Sequence, residues 1–140
     1  MGSGCLARRR ATFPSAADAL ANFASKPPLH HLRADALHAY VRHGFVPGED
    51  GQVHLACRPV DESQIYSSSA GHGAFERLGE VQCPVVVAAG DEAGPAAFAP
   101  TVADALPQGR LETFADLGHF GPLEAPERVA AATARFAAGL

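Results

Sequence analysis

The residues best suited to chemistry lie toward the carboxyl end of the chain. Asp91 and Glu92 follow an apolar run at 85 to 89, and Asp116, Leu117, Gly118 and His119 follow an alternating segment at 111 to 114. A carboxylate that holds one ring nitrogen of a histidine leaves the other free to take a proton from a nucleophile, the base half of a hydrolytic triad. Asp91, Glu92 and His119 are therefore the candidate catalytic residues. The alternative is that Asp91 caps the segment after it and His119 is a turn residue.

That chemistry requires the two segments to be neighbouring strands opening on the same side. Val85-Val86-Val87-Ala88-Ala89 is continuously apolar and rich in β-branched residues, the pattern of a parallel strand covered on both faces, and it stops at Gly90. Pro100 suits the first turn of a helix reaching about Leu106, with Phe98, Val102, Ala105 and Leu106 as its buried side. Pro107-Gln108-Gly109 closes it, and Leu111-Glu112-Thr113-Phe114 reads as a second strand. Pro126 then opens a helix whose Val129, Ala132, Phe136 and Leu140 share a stripe. Strand, helix, strand within this length is a parallel, right-handed unit with its strands about 4.8 Å apart. Both carboxyl ends then lie on one edge, where open α/β sheets bind ligands.

The first half reads as short helices without a strand partner. Ser15 can cap a helix with Asp18 in its first turn and Ala19, Leu20, Phe23 and Ala24 on one face, stopped by Pro27-Pro28. A second helix carries Leu37, Tyr40 and Val41 and ends at Gly44 in a left-handed position, after which Phe45 packs back. A turn at 47 to 52, an extended piece around His54, a helix at 61 to 68 and a short helix at 74 to 78 follow. Residues 1 to 12, with Gly2-Ser3-Gly4 and Arg8-Arg9-Arg10, are expected to lie outside the fold. The organisation is thus a disordered or severed segment at 1–12, a helical cap or lid at 13–80, and a βαβα core piece at 81–140.

Composition excludes several classes. The chain has 140 residues, 47% hydrophobic and 19% charged, with 11 Lys+Arg against 15 Asp+Glu for a net charge of -4. Disorder and a solvated acidic tail do not fit, and neither does the basic balance of a nucleic-acid binder. The apolar run at 85 to 89 is far below the about 20 residues that span a bilayer. Cys5, Cys57 and Cys83 are odd in number and lack CxxC spacing, so no disulfide framework is expected and the compartment reads as cytoplasmic. No GxGxxG or Walker pattern occurs, and no cofactor is expected.

Two further groups of residues could bear on function. His30, His31, His38 and His43 suggest a metal site, but His38 and His43 are five apart, roughly 140° around a helix, so they do not share a face as an i, i+4 ligand pair would. No metal is expected. Phe13, Phe23, Tyr40, Phe45, Tyr66 and Phe75 could line an apolar pocket, although aromatics at helical spacing more often build core.

Cys83-Pro84-Val85-Val86-Val87-Ala88-Ala89-Gly90-Asp91, Leu106-Pro107-Gln108-Gly109-Arg110-Leu111 and Gly118-His119-Phe120-Gly121-Pro122-Leu123-Glu124-Ala125-Pro126-Glu127 together resemble the carboxyl-terminal end of an α/β-hydrolase. The resemblance is specific over residues 81 to 140. It implies that the strand ending at Ala89 delivers the triad acid, that His119 is the catalytic histidine, and that the last helix packs on the sheet. Many members carry the acid three positions after the glycine, where this chain has Ala93, which leaves Asp91 or Glu92. The nucleophile elbow G-x-S-x-G is absent. The nearest approach is Ser67-Ser68-Ser69-Ala70-Gly71, without the first glycine or a preceding strand.

The expectation is an α/β fold built as a truncated α/β-hydrolase, a helical cap followed by a terminal βαβα unit with two parallel strands. The parental chemistry implied is hydrolysis of an ester-like small-molecule substrate, with this polypeptide inactive alone. The alternatives are a non-enzymatic binding or assembly module and a minimal serine hydrolase using Ser69. Bare strand edges in so small a sheet are expected to cause self-association.

Overall fold

The computed structural model describes residues 9–68, 71–90 and 95–140. The chain divides into two compact units, Met1–His72 and Gly73–Leu140. This division precedes the 80/81 boundary read from composition, because the 3-10 turn Phe75–Glu80 packs with the second unit.

The first unit is built on an aromatic core. Helix α1 (Ala16–Ala24) is capped by Ser15, whose hydroxyl accepts the Asp18 N–H at 3.1 Å, and it buries Ala19 and Phe23. Helix α2 (Ala34–Gly44) buries Leu37 and Val41. It runs through Gly44 directly into strand β2 (Phe45–Pro47), so no reversal is needed and Gly44 is not left-handed as expected. The positive φ falls instead at Gly51 (75°), in the hairpin turn where the Gly48 N–H donates to the Gln52 carbonyl at 2.8 Å. Helix α3 (Pro59–Ser68) closes the unit and buries no residue.

The expectation that this half lacks paired strands is overturned. Strand β3 (Val53–Leu55) pairs antiparallel with β2 on one side and with β1 (Thr12–Phe13) on the other, Thr12 opposite His54. Thr12 therefore belongs to the fold rather than to a severed tail. Strands of two and three residues are too short for alternation to register in a sequence. Phe13 is 1% exposed and meets the Phe23 ring at 5.6 Å and the Phe45 ring at 5.7 Å. Two of the basic triplet's side chains are spent on this unit: Arg10 lies over the Phe13 ring at 4.2 Å, and Arg9 bonds Glu62 at 3.0 Å and the Tyr40 hydroxyl.

The second unit contains strand β4 (Val85–Gly90), helix α4 (Ala99–Ala105), strand β5 (Gly109–Phe114), helix α5 (Gly121–Glu124) and helix α6 (Pro126–Ala138). The strands are parallel and adjacent, with Val85 opposite Gly109 and Gly90 opposite Phe114. Helix α4 crosses between them. Its last turn presses on Gly109, where a Cβ would lie 2.7 Å from the Leu106 Cβ and collide with the Ala103 carbonyl oxygen. Helix α6 lies along the opposite parity of β5: Arg110 stacks on Phe136, Arg128 on Phe114, and Arg135 pairs with Glu112 at 3.1 Å.

Cover on the sheet is thinner than its composition suggests. Val85, Val86 and Val87 are half-buried rather than enclosed on both faces. Phe98, expected on the buried side of α4, is 69% exposed; Leu106 is buried as expected, and Ala99 and Ala103 are buried beside it. The stripe of α6 leaves Val129, Ala132 and Phe136 half-buried and Leu140 exposed. Two strands with one helix along each side leave apolar surface that a wider sheet would cover.

Candidate active site

The parallel register brings the two loop-bearing strand ends together. Gly90, the last residue of β4, stands opposite Phe114, the last of β5. A Cβ on Gly90 would lie 2.6 Å from the Gly118 carbonyl oxygen and would collide with that of Leu117. The backbone leading into Asp91 and Glu92 thus ends against the turn that holds His119. Asp91 and Glu92 themselves lie outside the described residues, as does Ser69.

Residues 115–120 form a tight reversal. The Leu117 N–H donates to the Phe114 carbonyl at 3.0 Å, and the Gly121 N–H donates to the Gly118 carbonyl at 3.3 Å. Leu117 and Gly121 are buried, which anchors both ends of the turn, while His119 between them is exposed. Its ring meets Phe120 edge-on at 5.0 Å. An exposed imidazole at a strand's carboxyl end can exchange a proton with a group lying over the sheet edge.

The acidic residues of this turn are already engaged. Asp116 takes two hydrogen bonds from Arg128, at 2.5 and 2.9 Å, and these hold its carboxyl below the ordinary range. Glu124 accepts the Gly118 N–H at 2.8 Å and the Phe120 N–H at 3.1 Å. Sequence reading gave Glu124 no role, because its function depends on how the turn closes; only its place five residues beyond His119 pointed to it.

The other candidates separate. His38 and His43 are exposed along α2, and the His30 and His31 rings lie with centroids 3.7 Å apart, tilted by 43°. Among the described residues no group of three or more His, Cys, Asp or Glu is placed to hold a metal ion. No helix among them is long and apolar enough to cross a membrane. Phe13, Phe23 and Phe45 are core, whereas Tyr66 and Phe75 are exposed by 57% and 47%. Cys57 and Cys83 are exposed free thiols.

Two features of the first unit were not anticipated. A cavity of about 240 Å³ is lined by Arg9, Tyr40, Gly44, Leu55, Ala56, Cys57 and Glu62. His54 bridges Thr12 Oγ1 (3.0 Å from Nδ1) and Asp50 Oδ1 (3.1 Å from Nε2), which ties β1 to the β2–β3 turn. The Asp50 carboxyl is lowered first by the Gln52 N–H and then by His54.

No family model matches the sequence, and none of the curated proteins compared with it does. Among solved structures, the chain is similar over 96% of its length to E-2-(acetamidomethylene)succinate hydrolase, with a TM-score of 0.76 at 18% sequence identity. That protein has the α/β-hydrolase fold, and the present chain spans 51% of it. The likeness establishes the fold: the architecture is that of part of an α/β-hydrolase, as the motifs around Gly90 and His119 imply.

Proposed function

We propose that the chain carries the acid-and-histidine end of a nucleophile–histidine–acid hydrolytic site acting on an ester-like or related small molecule. His119 is the general base and then the general acid, and Asp91 or Glu92 orients its ring. The observation that carries this reading is the close approach of Gly90 to the Leu117–Gly118 backbone, because it ties the strand leading to both carboxylates to the turn bearing the imidazole. The structural neighbour is a hydrolase, which agrees with hydrolysis as the parental chemistry.

The nucleophile is the part these residues do not supply. No G-x-S-x-G occurs in the 140 residues, and attack on an acyl carbon needs that elbow's exposed hydroxyl with oxyanion donors beside it. The polypeptide alone is therefore inactive. Release of p-nitrophenol from an activated ester should match that of the His119→Ala variant, and a fluorophosphonate probe should leave the chain unlabelled. Turnover lost in His119→Ala, or labelling lost in Ser69→Ala, would overturn this and favour a minimal serine hydrolase.

A second reading, an assembly module, is favoured by the exposed apolar surface of the second unit: Phe98 is 69% and Leu111 42% exposed beside a two-stranded sheet. It shares with the first the expectation that the bare strand edges self-associate.

A further inference from the structure

The turn between β5 and α5 holds an arrangement that a chain reversal does not by itself require. One carboxylate, that of Glu124, receives the peptide N–H on each side of His119: Oε2 takes Gly118 at 2.8 Å and Oε1 takes Phe120 at 3.1 Å. Both contacts are partly buried, while the His119 side chain is exposed. Buried Leu117 and Gly121 fix the flanks of the turn, and of the two clamped peptide units 119–120 adjoins the His119 Cα while 117–118 lies one residue before it, so the backbone that sets the His119 Cα–Cβ direction is held from both ends.

The chemistry of the clamp calls for a carboxylate. The two donors reach two different oxygens of one side chain, a pair of acceptors that a carboxylate offers and an amide does not. Bonds to a charged acceptor are also stronger than neutral ones. Turning Glu124 into Gln keeps the length and at most one bond, because the amide nitrogen would face an N–H.

We infer that Glu124 is a positioning residue for His119, its carboxylate holding the 117–118 and 119–120 peptides so that the imidazole is presented over the sheet edge in one orientation. This rests on the reading of His119 as the general base, and its test is independent of turnover. With the backbone free, the ring would sample several orientations, and each catalytic event would pay the entropy of choosing one.

Hydrogen exchange and ring geometry in the full chain test the inference. In Glu124→Ala, exchange at the Gly118 and Phe120 amides should accelerate by roughly ten- to a hundredfold, the loss of a hydrogen bond to a charged group. The contact between the His119 and Phe120 rings, read as a nuclear Overhauser effect, should average away, while the β4 and β5 amides keep their protection. Glu124→Gln should release one of the two amides and leave the ring contact partly intact. A His119 ring that keeps its single orientation in Glu124→Ala would overturn the inference. So would uniform loss of protection across the second unit, which would make Glu124 a general structural residue. Ester turnover by the wild-type chain would bear on the proposed function and leave these readouts unaffected.

Discussion

Gly90 and Gly118 meet backbone to backbone at the carboxyl edge of the two parallel strands, with room for no side chain between them: a Cβ on Gly90 would sit 2.6 Å from the Gly118 carbonyl oxygen. The absence of a side chain at Gly90 is thus what allows the end of β4 to touch the turn bearing His119. This contact carries the functional reading of the molecule.

Replacing Gly90 by Ala should lower the stability of the second unit by about 1–3 kcal/mol, the range for forcing extra volume into a packed site, because the obstructing atoms are backbone and no rotamer relieves them. Gly79→Ala is the control. Nothing lies within 4 Å of the Cβ built there, and its effect should stay within about 0.5 kcal/mol. Urea unfolding followed by far-ultraviolet circular dichroism measures both, and equal midpoints would refute the packing argument.

Phe13→Ala should cost about 3–5 kcal/mol, as for other buried aromatics cut to Ala. Phe13 is 1% exposed and joins α1 to the three-stranded sheet through Phe23 and Phe45. Tyr40 and Tyr66, the two tyrosines of a chain without tryptophan, both lie in the first unit, so tyrosine fluorescence reports that unit alone. A midpoint unchanged from wild type would show that the aromatic cluster is not its core.

Ser15→Ala removes the acceptor for the Asp18 N–H at the start of α1, a loss of about 1 kcal/mol by the usual value of a helix cap. Ser15→Gly should cost only a few tenths. The same fluorescence measurement separates them, and equal costs would mean that the hydroxyl bond contributes nothing.

Stability should fall on the acid side. The Asp35 carboxyl is held at about 2 against an ordinary 3.8, chiefly by its hydrogen bonds from Arg33, and Asp116 is lowered by those from Arg128. A folded pKa below the unfolded one gives stabilisation that is full above the unfolded value and is lost as pH falls through the folded one. Unfolding midpoints should therefore change little from about pH 7 to 5 and drop below about pH 4. Asp116→Asn should flatten part of that drop in the second unit. Both pairs are exposed, so added salt should shrink the effect. A midpoint that rises on acidification would contradict the assigned partners.

Sedimentation velocity should reveal concentration-dependent association, since the second unit leaves Phe98 and Leu111 exposed beside a sheet of two strands. A single monomer boundary from micromolar to high concentration would argue that the edges are adequately protected.

The order of elements in the second unit was legible in the sequence because local rules govern it. A β-branched run makes β4, proline at the first helical position and an apolar stripe mark α6, and a short crossover forces the strands parallel. The cap at Ser15 was legible for the same reason. The approach of the strand carrying the acids to the His119 turn followed from that parallel order. The sheet of the first unit was not legible: Thr12 finds its partner at His54, far along the chain, and two residues carry no periodicity. Nor was the pairing of Asp116 with Arg128, the clamp of Glu124 on the peptides around His119, or the exposure of Phe98. Local propensity and spacing determine which segments become helices and strands. Which carboxylate is spent on an arginine, which on backbone, and which apolar face stays uncovered depends on distances that exist only once the chain has closed on itself.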